Sequence, residues 1–350
     1  MNLEIREPDD MHVHLRDGAV LALVLGHTAA RFRRAVVMPN LDPPLVTVSQ
    51  VLTYRERIRS LATGRLDFEP WMTLYLHAQT TVTEIEAAAR EPSLIGAKLY
   101  PQGVTTQSGS GIHDPLTLLP VYEAMAERDF PLLVHGEDPD PATDPFDREA
   151  RFIDRTLAPL CRRLPRLRIV FEHITTAGAA DFVRSESSRM AATITAHHLL
   201  YDRRALFHGG LHPHLFCWPL PKTTGDREAL VRAATGGEPC FFLGTDSAPH
   251  PQNRKESDCC PAGVYSAHAA LELYAEIFEE AGCLGRLEAF ASENGARFYH
   301  RPLNPGRLVL RKVPWQVPES YPVAADYTLV PLRAGETLAW SVAGREAVQP

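Results

Sequence analysis

Eight short apolar runs, rich in β-branched residues, recur along this chain and alternate with stretches of helical patterning. The first run carries His12 and His14. The other seven cover residues 34–38, 71–76, 94–100, 131–135, 167–173, 190–195 and 240–246. Nearly continuous apolar strands that alternate with helices are typical of a parallel sheet covered on both faces. Eight such units favour a closed (β/α)8 TIM barrel, an α/β fold, over an open sheet.

The chain is long enough for one barrel with insertions. It has 350 residues, of which 45% are hydrophobic and 23% are charged, an ordinary globular composition. The clearest helical patterns cover residues 47–61, 115–128, 147–164 and 177–186. We expect a single domain over residues 1–350, with the residues after about 302 forming a C-terminal extension that packs on the barrel.

Charge and composition argue against several classes of partner. The net charge of −7 and the lack of a basic stripe argue against nucleic-acid binding. No apolar run approaches the about 18 residues of a membrane span, and the acidic N-terminus is unlike a signal peptide. The six cysteines form no Cys-x-x-Cys pair. These features predict a cytoplasmic protein with reduced thiols.

The pair His12 and His14 is the first sign of chemistry. Side chains two apart on a strand point to the same side, so both imidazoles should converge there. Imidazoles that converge in this way are a plausible half of a metal site. The pattern alone is weak, because a chain with 15 histidines shows it by chance, and it recurs at His212 and His214.

Further polar residues stand where four other predicted strands end: Lys98, His135, His173 and Asp246. They are separated in turn by 37, 38 and 73 residues, which fits strands four, five, six and eight of a regular barrel. Catalytic groups of such barrels lie at the C-terminal ends of the strands. We therefore expect these side chains to meet on one rim.

Each of these residues also has a structural interpretation. A histidine after an apolar strand is often a hydrogen-bonded core residue, and Asp246 could serve in a turn or as an N-cap. Lys98 could point outward between helices, although an unpaired ammonium in an apolar strand is costly. Taken together, the set favours a site for Zn²⁺ or a similar ion. Lysine could join it if its neutral amine captured carbon dioxide as a carbamate.

Several segments carry a family resemblance: residues 8–18, 36–44, 96–101, 131–137, 146–153, 170–176, 191–195 and 242–250. Through them the chain resembles the amidohydrolase superfamily, and within it the dihydroorotases found as separate, single-function bacterial enzymes. The matches run in family order from about residue 5 to residue 300.

The resemblance implies two zinc ions per subunit. Its metal ligands fall on His12, His14, Lys98, His135, His173 and Asp246. The first two histidines and Asp246 would hold one ion, and the other two histidines would hold the second. Lys98, as N6-carboxylysine, would bridge them. Asp246 would also be the catalytic acid and base.

The resemblance also implies substrate contacts, at Arg16, Asn40, Trp218, His250 and Ala262. Relatives carry leucine at the position of Trp218, which leaves the pocket shape open. A substrate-sensing loop corresponds to residues 102–113, with Thr105 and Thr106 as its hydroxyl pair. This stretch is rich in Gly, Ser and Thr and is predicted to be mobile.

The implied reaction interconverts (S)-dihydroorotate and N-carbamoyl-L-aspartate in de novo pyrimidine (UMP) biosynthesis, in a cytoplasmic homodimer with no partner but its small-molecule substrate. One alternative is another cyclic amidohydrolase, such as a hydantoinase or allantoinase. Those enzymes usually have a longer N-terminal segment that feeds a small β-domain, for which His12 leaves no room. A second alternative is a non-catalytic structural partner, which would have lost metal ligands. His197, His198, His212 and His214 are interpreted as structural or surface residues.

Overall fold

The computed structural model describes residues 1–62, 67–106 and 108–346. A first strand, β1 (Asn2–Arg6), precedes an eight-stranded parallel sheet whose strands lie side by side in chain order. The strands of this sheet are β2 (Asp9–Val13), β3 (Arg34–Val37), β4 (Glu69–Tyr75), β5 (Leu94–Leu99), β6 (Leu132–His135), β7 (Ile169–Glu172), β8 (Met190–Ile194) and β9 (Phe241–Leu243). Each of the eight predicted runs contributes one of them, so the predicted TIM barrel is confirmed.

The barrel closes between its first and last strands. Just beyond β9, the backbone N–H of Asp246 donates to the carbonyl of His12 over 2.9 Å. The N–H of His14 in turn donates to the carbonyl of Ser247 over 3.1 Å. These bonds lie at the C-terminal ends of β2 and β9, so closure brings the two ends of the barrel sequence to the same rim.

Helices surround the sheet and follow the strands. Their bounds are α1 (Ala19–Arg31), α2 (Val48–Leu61), α3 (Val82–Arg90), α4 (Leu119–Glu127), α5 (Arg148–Phe152), α6 (Ala158–Arg163), α7 (Ala177–Ser185), α8 (Ala196–Leu200), α9 (Thr224–Thr235), α10 (Gln252–Lys255), α11 (Ala270–Glu280) and α12 (Asn294–Phe298). Thr47 begins α2 with a reciprocal capping box to Gln50, which explains why that start was predictable. The predicted helix 147–164 is one continuous helical stretch, in which a π-helical turn, Ile153–Leu157, joins α5 to α6.

The barrel interior is filled at its lower end by apolar side chains. This inner cluster comprises Met11, Val36, Met38, Trp71, Ile95, Leu133, Val170, Ala191, Phe242 and Tyr299. Because side chains alternate along a strand, Leu133 on β6 places His135 on the same inner face. Val170 on β7 does the same for Glu172. The packed lower half thus supports polar groups at the upper rim.

The residues after α12 form small antiparallel sheets. Their strands are β10 (Arg307–Arg311), β11 (Trp315–Gln316), β12 (Tyr321–Ala324), β13 (Tyr327–Leu329), β14 (Thr337–Leu338) and β15 (Ser341–Glu346). β10 lies between β1 and β15 and pairs with both, so one sheet joins the first strand to strands from the C-terminal part of the chain. The sequence arguments did not predict this sheet, in which the short N-terminal segment contributes one strand. The single-domain description stays a prediction.

None of the helices in the described ranges has both the length and the apolar character required to cross a membrane.

Candidate active site

A small cavity opens at the C-terminal ends of the barrel strands. It is lined by His12, His14, Arg16, Asn40, Tyr100, Thr105, Thr106, His135, His173, Cys217, Trp218, Asp246, Ala248, Ala262 and Gly263. Every predicted site residue is in this lining except Lys98 and His250. Lys98 is fully buried behind it, and His250 contacts the lining residues Arg16 and Ala262.

His12 and His14 converge as strand alternation predicts. Their Nε2 atoms are 3.3 Å apart. Asp246 Oδ1 lies 3.3 Å from His12 Nε2 and 3.0 Å from His14 Nε2. Three polar atoms from the two strands that close the barrel therefore form a compact triangle.

The outer nitrogens of the same two rings face acceptors. His14 Nδ1 donates to Asn40 Oδ1 over 2.8 Å. His12 Nδ1 lies 3.0 Å from Glu172 Oε1, a close electrostatic contact without hydrogen-bond geometry. A neutral imidazole with its proton on Nδ1 has only a lone pair on Nε2. The triangle brings three potential metal-ligand atoms within 3.3 Å of one another, an arrangement that a bound cation stabilises.

His173 and Asp246 reach the site through unusual backbone conformations. Strand alternation points Glu172, not His173, into the barrel. His173 has a φ of 43° and Asp246 a φ of 44°, in the left-handed region that is strained for non-glycine residues. Such conformations are concentrated at functional sites, where surrounding structure holds them. His12, His173 and Asp246 each offer a ligand atom within 4.8 Å of the other two.

His135 and Lys98 complete the group. The His135 ring lies 4.7 Å from that of His173, centroid to centroid, and its Nε2 contacts Glu137 Oε2 at 2.8 Å. This contact occupies Nε2 and leaves Nδ1 as the ring nitrogen available to a ligand. Lys98 Nζ lies against Glu172 Oε2 and 4.9 Å from the centroid of the Tyr100 ring. Lys98 is paired with the inward-facing Leu133 and contacts Glu172, so its side chain points into the barrel and not outward between helices.

The electrostatics of the group favour ligand-competent forms. Burial lowers the pKa of all four histidines, and it lowers that of His14 to about 3. Burial also lowers the pKa of Lys98 well below its usual value, against the opposing attraction of Asp246. Burial by itself would raise the pKa of Asp246, but His12 and His14 hold it well below the usual range. Neutral imidazoles, a neutral amine and a carboxylate are the forms that bind a divalent ion.

Arg16 provides an anion-binding group at the edge of the cavity. Its Nε donates to the carbonyl of Pro249 over 3.2 Å, and its Nη2 lies 3.0 Å from His250 Nε2. Within the described residues no carboxylate pairs with this guanidinium. Burial lowers the pKa of His250 to about 2, so its ring is neutral. A guanidinium without a carboxylate partner is suited to a carboxylate ligand.

The loop that follows β5 closes one side of the cavity. Thr106 Oγ1 accepts from the N–H of Ala262 over 3.0 Å and lies 3.2 Å from the Ala262 carbonyl oxygen. Thr105 lies beside it in the cavity lining. In the described residues of 102–113 this segment has turns and a short bridge between Pro101 and Ile112, but no helix or strand. Its predicted mobility stays a prediction.

Trp218 lines the cavity, and aromatic and cationic contacts hold its side chain. The Arg148 guanidinium carbon lies 4.9 Å from the centroid of its ring, and the Phe216 ring packs against it edge-on at 5.5 Å. The Arg148 guanidinium and the Phe216 ring therefore fix the orientation of the indole.

Sequence arguments missed several residues around the site. Glu172 lies two positions after the inward-facing Val170 on β7, and Glu137 lies two positions after His135, just beyond β6. Strand alternation could therefore have identified both. Cys217 and Tyr100 gave no comparable signal. His197 and His198 are buried beside Cys217, but His198 is already bonded to Thr195 Oγ1 and the Pro219 carbonyl, consistent with a structural role.

The second His-x-His pair lies elsewhere. His212 Nε2 bonds to the carbonyl of His208 over 2.7 Å, and His214 Nε2 lies 2.9 Å from Glu256 Oε1. Neither residue lines the cavity described above. The pair illustrates that this spacing does not by itself identify a ligand set.

Known proteins resemble this chain over almost its whole length. The amidohydrolase family model matches residues 62–242. A dihydroorotase from Cupriavidus necator is 55% identical over 338 residues, which are 97% of this chain and 98% of that protein. The structure of dihydroorotase from Saccharomyces cerevisiae in complex with 5-fluoroorotic acid has a TM-score of 0.93 at 32% identity, covering 99% of this chain and 100% of that chain. The dihydroorotase from Campylobacter jejuni has a TM-score of 0.89 at 36% identity, covering 98% and 97%.

The match to the Cupriavidus necator protein extends over nearly the full length of both chains, and more than half of the matched positions are identical. The full-length identity and the shared barrel fold show that this chain belongs to the dihydroorotase family of the amidohydrolases.

Proposed function

We propose that this cavity interconverts (S)-dihydroorotate and N-carbamoyl-L-aspartate, a step of pyrimidine biosynthesis, with the aid of two zinc ions. Family membership supports the dihydroorotase activity. The observation that carries the site assignment is the triangle of potential ligand atoms beside an arginine that has no carboxylate partner in the described part of the chain. Together they provide a place for a cation and, next to it, a place for an anionic substrate.

The spacing of the triangle suits one zinc ion. Ligand atoms about 2.0–2.1 Å from a tetrahedral zinc ion are about 3.3 Å from each other. The three distances among His12 Nε2, His14 Nε2 and Asp246 Oδ1 are 3.0–3.3 Å. These three residues would hold one ion, while His135 and His173 would hold the second.

Lys98 would bridge the two ions as N6-carboxylysine. Its neutral amine can attack carbon dioxide, forming an N–C bond and releasing one proton, which gives a carbamate with two ligand oxygens. The low pKa of Lys98 supports this step, because only the unprotonated amine is a nucleophile. Glu172 and Asn40 would fix the ring orientations of His12 and His14, as partners of ligating histidines do.

When bound, the ions lower the pKa of a water and polarise the amide carbonyl. The protein residues move the proton and hold the substrate. Asp246, kept ionised by His12 and His14, takes the proton from the attacking water and returns it to the ring nitrogen that leaves. Arg16, with Asn40 Nδ2 and His250, would hold the substrate carboxylate and so orient the ring.

The remaining contacts would close the site. Thr105 and Thr106 would bring their loop over the substrate and exclude water, a common role of such loops. Trp218 and Ala262 would form the walls beside the ring. A homodimeric state and a cytoplasmic location stay predictions that the family resemblance supports.

A direct assay tests the proposal. Purified chain loaded with zinc should open dihydroorotate, seen as loss of ultraviolet absorbance, and should close N-carbamoyl-L-aspartate in the reverse direction. Hydantoin and allantoin, which lack the carboxylate for Arg16, should be poor substrates. Preferential turnover of either would favour the other cyclic amidohydrolases, and no turnover of any of them would favour the structural-partner alternative.

Replacing Arg16 with alanine should mainly weaken substrate binding. Losing charge-assisted hydrogen bonds of about 1.5–3 kcal/mol corresponds to an increase in KM of about 10- to 100-fold. Lysine at this position should recover only part of the loss, because it lacks the planar fork. Steady-state kinetics with dihydroorotate measures both.

Arg57 provides the matched control. It lies nearby but pairs with Asp17 over 2.6 Å on the surface. Arg57→Ala should leave KM unchanged. An unaltered KM in Arg16→Ala would remove Arg16 from the carboxylate-binding role.

A further inference from the structure

Lys255, the last residue of α10, is a buried cation outside the catalytic group. It is only 2% exposed, and no carboxylate among the described residues pairs with it. Its Nζ instead donates to three backbone carbonyls, those of Phe216, Pro261 and Gly263, each over 2.9 Å. An ammonium has three N–H groups, so these carbonyls satisfy all of them.

Burial lowers the pKa of Lys255 to about 8. Burying a charge without a counter-ion is costly, even with full hydrogen bonding. A surface lysine at the end of a short helix would avoid this cost. The position therefore calls for a reason beyond the stability of α10.

The three carbonyls belong to two segments that form one wall of the cavity. Phe216 directly precedes Cys217 and Trp218, which line it. Pro261 and Gly263 flank Ala262. Ala262 and Gly263 both line the cavity. The N–H of Gly263 donates to the carbonyl of Phe216 over 3.0 Å, so that oxygen joins both segments to the ammonium. One cation thus clamps two wall segments together.

Ala262 is also where the loop over the cavity attaches. Its N–H donates to Thr106 Oγ1 over 3.0 Å, and its carbonyl oxygen lies 3.0 Å from His250 Nε2. The peptide group between Pro261 and Ala262 accepts from Lys255 at its oxygen and donates to Thr106 at its nitrogen. Hydrogen bonds in such chains polarise one another. The bond from Lys255 to the Pro261 carbonyl therefore makes the Ala262 N–H a stronger hydrogen-bond donor to Thr106 Oγ1.

We propose that Lys255 is a positioning residue that holds residues 216–218 and 261–263 in place, so that the loop of Thr106 can pack against them. It thereby controls closure of this loop over the substrate. The proposal rests on the function proposed above, in which this loop covers dihydroorotate. Lys255 touches no reacting atom and acts through Ala262.

The test compares Lys255→Met with Lys222→Met. Lys222 is also buried, at 5% exposure, but donates to the carbonyl of Leu220 over 2.8 Å and not to the wall around Ala262. Displacement of a positioning group by about 1 Å can reduce the rate by about 10²-fold. We expect Lys255→Met to lower kcat/KM for dihydroorotate by about this factor, mainly through KM, and Lys222→Met to leave it unchanged.

Hydrogen exchange provides a readout that a purely structural role would not move. An equilibrium mixture of dihydroorotate and N-carbamoyl-L-aspartate should protect the amides of residues 102–106 and 108–112 in the unaltered chain. This protection should be lost in Lys255→Met, while exchange in the barrel strands stays the same. If Lys255→Met is too unstable to assay, Lys255→Arg keeps the charge in a different shape and should show the same loss in smaller degree.

A double-mutant cycle with Thr106→Val completes the test. If Lys255 acts through the Ala262 peptide, Lys255→Met should add little to the effect of Thr106→Val on kcat/KM. Additive effects, or a Lys255→Met chain that behaves like Lys222→Met, would overturn the positioning role. Failure of the unaltered chain to turn over dihydroorotate is a different result, which would count against the proposed function instead.

Discussion

Asp246→Ala is expected to lower kcat for dihydroorotate by about 10³-fold or more, since it removes both a metal ligand and the group that transfers the proton. The chain should stay folded. The hydrogen bond that closes the barrel at this residue uses the backbone N–H of Asp246 and the carbonyl of His12, and neither is lost in the variant. The loss of turnover can then be assigned to chemistry. Ultraviolet loss of dihydroorotate gives the rate, and thermal unfolding gives the stability.

Asp246→Asn separates the two roles of the carboxylate. An amide oxygen can still contact an ion, but it cannot accept the proton from the attacking water. We expect Asn to recover part of the bound metal and little of the rate.

Asp202 is a matched control, because it is 8% exposed while Asp246 is 7% exposed. Its side chain accepts from the N–H of Arg204 and caps a short 3₁₀ turn. Asp202→Ala should cost about 1 kcal/mol of folding free energy and leave kcat unchanged. A near-normal rate in Asp246→Ala would remove this residue from the mechanism.

The barrel was predictable from sequence because its signal is repeated and local. Each strand run is short, apolar and followed by helical periodicity, and eight repetitions constrain the fold more than any single one. Boundaries were less accurate at the functional end. The run 240–246 was read as one strand, whereas β9 ends at Leu243 and Asp246 has a left-handed conformation. Local strand propensity does not reveal this change of backbone conformation, because the conformation of Asp246 depends on its hydrogen bond to the neighbouring strand end at His12.

The antiparallel sheet that includes β1 could not be found in the same way. Asn2–Arg6 is too short to show a period, and its partner β10 begins about 300 residues later. Pairing over such a distance is set by where the barrel leaves the two ends of the chain. Local patterning carries no information on that point.

Some residues of the site could likewise be recognised from the sequence, and others could not. Residues whose type is unusual at a strand end, such as His135 and Lys98, could be recognised from spacing. Glu172 was overlooked because it precedes the more conspicuous His173, although alternation puts it inside the barrel. Lys255 lies in a polar stretch that is typical of a surface, and only the tertiary structure brings its ammonium to three carbonyls.

Lys98→Ala is expected to lower the number of zinc ions bound per chain and to reduce kcat by about 10³-fold or more, because the bridging group of the proposed site is lost. Elemental analysis after removal of free metal gives the stoichiometry. Lys222→Ala, which removes another buried lysine, should keep the metal content and the rate of the unaltered chain. An unchanged content of two ions in Lys98→Ala would contradict the bridge.

Dependence on carbon dioxide distinguishes a carbamate from an ordinary buried lysine. Metal-free chain should take up zinc slowly in buffer stripped of carbon dioxide and faster after bicarbonate is added. Lys98→Ala should be indifferent to bicarbonate, because no other group of the proposed site has an amine to carboxylate. If the unaltered chain were equally indifferent, Lys98 would act as a partner of Glu172 alone. The two ions would then have to share Asp246 and the four histidines, a ligand set too small to complete two tetrahedral sites without solvent.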